Sequence, residues 1–115
     1  MCRIAAYVGA AKSLEEVLVA PEHSLYRQAW APRTQQSGTV NADGFGVGWY
    51  DTTVRAEPAL YRTTIPMWSD RSFAGMAGLI RSHAVMGAVR GATEPVVTAY
   101  YNVPPFGSGR YLFAH

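Results

Sequence analysis

Cys2 is the only cysteine of the sequence and stands directly behind the initiator methionine. An initiator methionine is normally removed when the next residue is small, which would leave Cys2 carrying a thiol and a free α-amine. An α-amine ordinarily titrates at roughly 8 and a thiol at roughly 8.5. The amine can then accept the thiol proton near neutral pH, so that nucleophile and general base share one amino acid. Position 2 alone does not decide this, because a lone cysteine is often an inert small hydrophobe. It also opens a strand-like stretch, Cys2-Arg-Ile-Ala-Ala-Tyr-Val8.

A second candidate is Arg90, which follows an apolar run and precedes the small-residue turn Gly91-Ala-Thr93. A guanidinium at a strand end can clamp a carboxylate through two parallel hydrogen bonds, and the Thr93 hydroxyl could reach the same ligand. Taken singly, an arginine after a strand is more often a surface charge. The run Asn41-Ala-Asp-Gly-Phe-Gly-Val-Gly-Trp49 places Gly44, Gly46 and Gly48 at alternate positions, so one face of a strand lacks side chains. Close packing of another strand explains that face better than a nucleotide does, because the glycine spacing is not a dinucleotide fingerprint. The other face would carry Phe45, Val47 and Trp49 into a core. His83 lies inside the apolar run and reads as a core histidine rather than a base. Tyr100, Tyr101 and Phe106, with Pro104-Pro105, read as packing around a pocket rim.

These residues need a scaffold. Strands are expected over 2–8, 44–51, 58–62 and 80–89, with a last one over 110–115. Ser13-Leu-Glu-Glu16 has the form of a capping box and opens a helix to about Ala20, before Pro21. Residues 23–30 suggest a second helical or irregular turn, and Ser69 or Asp70 caps a helix to about Leu79. Loops fill 31–43 and 90–109, where binding groups usually sit. Strands flanking helices indicate an α+β or layered α/β/β/α architecture. The terminal apolar strand, left as an edge, would invite aggregation, and the expectation is that the chain is the first part of something longer.

Composition narrows the function. With 115 residues, 49% of them hydrophobic and 16% charged, the chain supports one packed domain and is not disordered. A net charge of +2 with scattered arginines argues against nucleic acid. One cysteine excludes an internal disulfide framework, and with three histidines it gives no zinc-ligand spacing, so no metal or other cofactor is expected. No signal-like or membrane-spanning segment is visible, which points to a cytoplasmic protein without a membrane partner. Oligomeric state is not encoded legibly.

Taken together, Met1-Cys-Arg3, Asn41–Trp49, Val89-Arg-Gly-Ala-Thr93, Pro105-Phe106 and Leu112-Phe-Ala-His115 resemble the class II glutamine amidotransferase domain, a branch of the N-terminal-nucleophile hydrolases. More narrowly, Ala31-Pro-Arg33, Pro66-Met-Trp68 and Arg81-Ser-His83 resemble the subgroup that hydrolyses γ-glutamyl-hercynylcysteine S-oxide in ergothioneine biosynthesis. The resemblance runs over 1–115 as the N-terminal portion of one domain, and implies a four-layer α/β/β/α sandwich, incomplete at the C-terminus. It implies a small γ-glutamyl substrate, with Cys2 attacking the amide carbonyl, Arg90 holding the glutamate α-carboxylate and Thr93 contacting substrate beside it. The Asp43-Gly44 region is expected to be scaffold. Two features depart from the family. Its Asn-Gly oxyanion pair would follow His115, and its acid for the substrate amine lies further on; losing one oxyanion donor costs about 10²–10³ in rate. Glu94-Pro95 also replaces the usual glycine after Thr93. Two other functions stay open, a glutaminase half feeding ammonia to a synthase and a shortened, non-catalytic relative.

Overall fold

The computed structural model describes residues 2–30, 42–91 and 99–115. Four strands form one antiparallel sheet: β1 (Arg3–Ser13), β2 (Phe45–Trp49), β3 (Ala59–Thr63) and β4 (Arg81–Val89), in the spatial order β1-β4-β2-β3. The apolar run ending at Val89 takes an interior place, as a short run without polar alternation should. β1 runs five residues past the expected end at Val8, and its pairing with β4 shifts between Val8 and Lys12. Backbone pairing of Lys12 with Ser82 and of Ser13 with Arg81 holds this exposed extension, where side-chain patterning gives no strand signal.

One face of the sheet carries the helices. Ser13 Oγ accepts the Glu16 N–H at 3.1 Å, the cap expected for α1 (Leu14–Leu18). That helix stops two residues before Ala20, with Val19 as its C-cap at φ −120° and the Val19 N–H donating to the Glu15 carbonyl. Ser24 Oγ caps α2 (Leu25–Trp30) by accepting the Arg27 N–H at 3.1 Å. Asp70, rather than Ser69, caps α3 (Arg71–Ala77), taking the Phe73 N–H on Oδ1 at 2.9 Å. Leu14, Leu18, Leu25, Ala29, Phe73 and Ala77 from these helices close over Phe45, Val47, Val85 and Val89 of the sheet. Phe45 meets Phe73 edge-on at 5.0 Å between ring centroids, a favourable aromatic geometry. Trp49 packs on the margin of this core.

The opposite face of β2 is the glycine face, and it is filled by close packing as expected. A Cβ on Gly46 would lie 2.3 Å from the Pro104 carbonyl oxygen, and one on Gly48 would lie 2.5 Å from a Leu112 methyl. Those neighbours come from the segment 99–115, of which the part up to 109 was expected to be loop and 110–115 a strand. It contains a 3-10 turn (Tyr100–Asn102) and a hairpin of β5 (Phe106–Ser108) and β6 (Tyr111–Phe113), turning at Gly109 with φ +55°. The terminal strand is therefore paired, and it is only three residues long. Proline and glycine disguised β5 in the sequence. Helices, main sheet and hairpin make three successive layers, an α+β arrangement with two β layers face to face. His83 corrects one expectation: it is exposed on β4, and its neighbour Ser82 is the buried one, donating its hydroxyl to the Tyr50 carbonyl at 2.6 Å.

Candidate active site

Strand register brings the two chemical candidates together. Arg3 pairs with Val89, Ile4 with Ala88 and Ala5 with Gly87. One step past the end of this ladder, Cys2 falls opposite Arg90. Facing residues of an antiparallel pair have Cα atoms about 4.5–5.5 Å apart, so continuing the register one step past Arg3 and Val89 would set Cys2 beside Arg90. Side chains alternate along a strand. Val89 points into the helical core, so the register puts Cys2 and Arg90 on the other, hairpin-facing side.

Arg90 is fixed from its second flank as well. Its N–H donates to the Gly44 carbonyl at 2.9 Å, and the Asp43 N–H donates to the Arg90 carbonyl at 3.1 Å. Gly44 adopts φ +123°, and a Cβ there would lie 2.4 Å from the Thr63 carbonyl oxygen. Only glycine makes this turn without strain or clash. The scaffold role expected for Asp43-Gly44 thus has a concrete form, a backbone clamp on the strand end that carries Arg90.

The side chains differ in environment. Cys2 is exposed and its thiol is not in a disulfide. Arg90 is half-buried, and its Nη1 is sealed from solvent without a hydrogen-bond partner among the described residues. An unsatisfied buried donor costs about 1–3 kcal/mol, more on a charged group. A carboxylate would remove that cost and form charge-assisted hydrogen bonds. A thiol open to an incoming ligand beside an unsatisfied guanidinium can therefore combine nucleophilic attack with anion capture.

Thr93 and the Glu94-Pro95 departure lie outside the described residues, as do Ala31-Pro-Arg33 and Asn41. The other subgroup-specific positions are described, and they lie away from the site. Met67 is buried in the helical core with Trp68 beside it, and Arg81 pairs with Glu16 at 3.4 Å on the surface. His83 is seven residues along β4 from Arg90, roughly 24 Å at strand rise, too far to serve Cys2. Among the described residues no three His, Cys, Asp or Glu side chains gather as metal ligands, and no helix is long and apolar enough to cross a membrane.

A residue that sequence reading passed over is Arg62 on β3. It pairs with Gly46 across the sheet, and its guanidinium lies 5.8 Å from the Tyr100 ring centroid and 5.9 Å from that of Phe106. Only the scattered-arginine count had registered it, since its partners are about 40 residues away in sequence.

No family model matches the chain. Over its whole length it is 38% identical to a γ-glutamyl-hercynylcysteine sulfoxide hydrolase of Mycobacterium tuberculosis and 40% identical to one of Mycolicibacterium smegmatis. It covers 48% and 50% of those proteins, so it spans about half the length of the curated relatives it matches. A probable glutamine amidotransferase of Saccharomyces cerevisiae is 30% identical, with 34% of that protein covered. A solved glutamine aminotransferase class-II domain protein from Silicibacter pomeroyi superposes with TM-score 0.60 at 28% identity, covering 97% of this chain and 34% of that one. In sequence and in fold, the chain resembles the N-terminal part of a class II glutamine amidotransferase domain.

Proposed function

We propose that the protein hydrolyses a γ-glutamyl amide with Cys2 as an N-terminal nucleophile, and that its substrate is γ-glutamyl-hercynylcysteine sulfoxide. The observation that carries this reading is the β1–β4 register, which ends with Arg3 opposite Val89 and so directs Cys2 towards Arg90, whose buried Nη1 lacks a partner among the described residues. The activity for which the mycobacterial relatives are named supports the substrate.

Once Met1 is removed, the Cys2 α-amine takes the thiol proton and the sulfur attacks the γ-carbonyl carbon. A C–S bond forms and the carbonyl electrons move to oxygen. Collapse breaks the C–N bond, and the α-ammonium returns its proton to the departing nitrogen. Water then attacks the thioester, losing a proton to the amine. The C–S bond breaks, and glutamate and the thiol are restored. Arg90 contributes by gripping the α-carboxylate, so the γ-carbonyl is presented at the sulfur rather than captured from solution. Thr93 would add a hydroxyl to that grip.

The reading is tested by following glutamate release from γ-glutamyl-hercynylcysteine sulfoxide and from glutamine. Wild-type protein should release glutamate from the sulfoxide with the higher kcat/KM, and Cys2→Ala should abolish both activities. Turnover that survives Cys2→Ala would overturn the mechanism. Ammonia release from glutamine as the dominant reaction would overturn the substrate.

A further inference from the structure

Arg62 stands on the hairpin-facing side of β3. Among the described residues it has no carboxylate partner; its polar contact is Nη1 to the Tyr101 carbonyl at 3.4 Å, a long hydrogen bond. Its guanidinium is instead held over two rings, those of Tyr100 and Phe106. Stacking on aromatic faces orients the planar fork and leaves in-plane donors for a carboxylate. Tyr100 and Tyr101 stand edge-to-face with centroids 5.8 Å apart, and they remain 59% and 60% exposed. Two large aromatic side chains left this open, beside a cation with no carboxylate partner among the described residues, form a surface suited to a small zwitterion. The ring faces suit a quaternary ammonium, and the guanidinium suits its carboxylate.

The location ties this cluster to the site. On the hairpin-facing side, Ile4, Ala88, Gly46 and Arg62 form one row across the sheet, and extending the registers by one step sets Cys2, Arg90, Gly44 and Thr64 in the next. Strand spacing and rise place the Arg62 backbone roughly 12 Å from that of Arg90. Val103 and Pro104 lie against Gly44 and Gly46, so the chain carrying Tyr100 and Tyr101 runs directly beside the Arg90 end of the face.

We infer that Arg62, Tyr100 and Tyr101 form the leaving-group subsite, binding a betaine end in which a carboxylate neighbours a quaternary ammonium: the carboxylate on the Arg62 guanidinium, the ammonium on the exposed tyrosine faces. This rests on the hydrolase reading and names the half of the substrate that Arg90 does not hold. Arg62 and the tyrosines are specificity groups, remote from the bonds that change.

Histidine betaine (Nα-trimethylhistidine) serves as the probe, titrated by calorimetry into wild-type protein and into Arg62→Met and Tyr101→Leu variants whose thermal unfolding matches wild type. Arg62→Met should weaken binding by about 10-fold or more, the loss of one charge-assisted contact. Tyr101→Leu, at an exposed position, should weaken it by roughly 2–5-fold, as for an exposed cation–π contact. In turnover, Arg62→Met should raise KM for γ-glutamyl-hercynylcysteine sulfoxide while leaving kcat/KM for γ-glutamyl-methylamide, which lacks the betaine, within about twofold. Unchanged betaine affinity in both variants, or equal losses on both substrates, overturns the subsite. Betaine binding that depends on Arg62 in a protein that cleaves neither amide would keep the subsite and sink the hydrolase reading.

Discussion

Arg90 makes a two-sided prediction. Its buried Nη1 is a liability to the empty fold and an asset to a bound carboxylate. Replacing it by methionine keeps most of the apolar volume and removes the orphaned donor. Arg90→Met should therefore leave the urea midpoint equal to wild type or higher, while kcat/KM for γ-glutamyl substrates falls about 10²–10³-fold, the loss of a bidentate charge-assisted pair. Parallel denaturation and steady-state kinetics check it; a variant that loses stability along with activity would mark Arg90 as structural. Cys2 and Arg90 could be named as candidates from the sequence because of residue type and position, a thiol behind the initiator methionine and an arginine after an apolar run. Their adjacency could not be read there, since it depends on β1 pairing with β4 across the 67 residues between the two strands. Arg62 was illegible for the same reason: a stacked arginine is defined by rings that arrive from a distant segment.

At the level of elements, Asp70 joins α3 to the sheet. One carboxylate oxygen caps the helix and the other accepts the Tyr61 hydroxyl of β3 in a very short hydrogen bond. Burial pushes the Tyr61 phenol from 10.0 up to about 12, and the Asp70 hydrogen bond and charge push the same way. The folded state thus holds the phenol proton more tightly than the unfolded chain. The resulting stabilisation is complete below pH 10 and is lost as pH rises from 10 towards 12. Wild type should lose stability over that range more steeply than Tyr61→Phe, measured as the difference in urea midpoints at pH 9 and pH 11. Equal slopes would contradict it. Asp70→Ala removes a cap and strands a half-buried hydroxyl, and should cost about 2 kcal/mol or more at pH 7. The caps on Ser13 and Asp70 were readable from local pattern, whereas the helix ends and the extension of β1 were set by tertiary pairing.

For the molecule as a whole, the α+β class followed from alternating strand and helix signals, and the bare face of β2 announced close packing. What would fill that face was hidden, because Val103-Pro-Pro-Phe-Gly107 looks like loop by composition. Gly46→Val would drive a side chain into the Pro104 carbonyl and lift the hairpin layer from the sheet. It should cost about 2–3 kcal/mol, in the range for overpacked interiors, with a fall in thermal midpoint as the readout; a variant as stable as wild type would contradict face-to-face packing. The hairpin covers the β2–β3 half of this face, while Ile4 and Val8 on β1 stand 48% and 83% exposed. Cys2, Arg90 and Arg62 all fall on this one side of the sheet by strand alternation. The most direct test of that arrangement is mass mapping after incubation with 6-diazo-5-oxo-norleucine, a glutamine mimic whose diazo carbon alkylates a thiolate with loss of dinitrogen. The account predicts protein that begins at Cys2 and carries a single adduct on that residue, formed more slowly when glutamate is present or Arg90 is replaced. Protein that keeps Met1 throughout, or a Cys2 that stays unmodified, would contradict it.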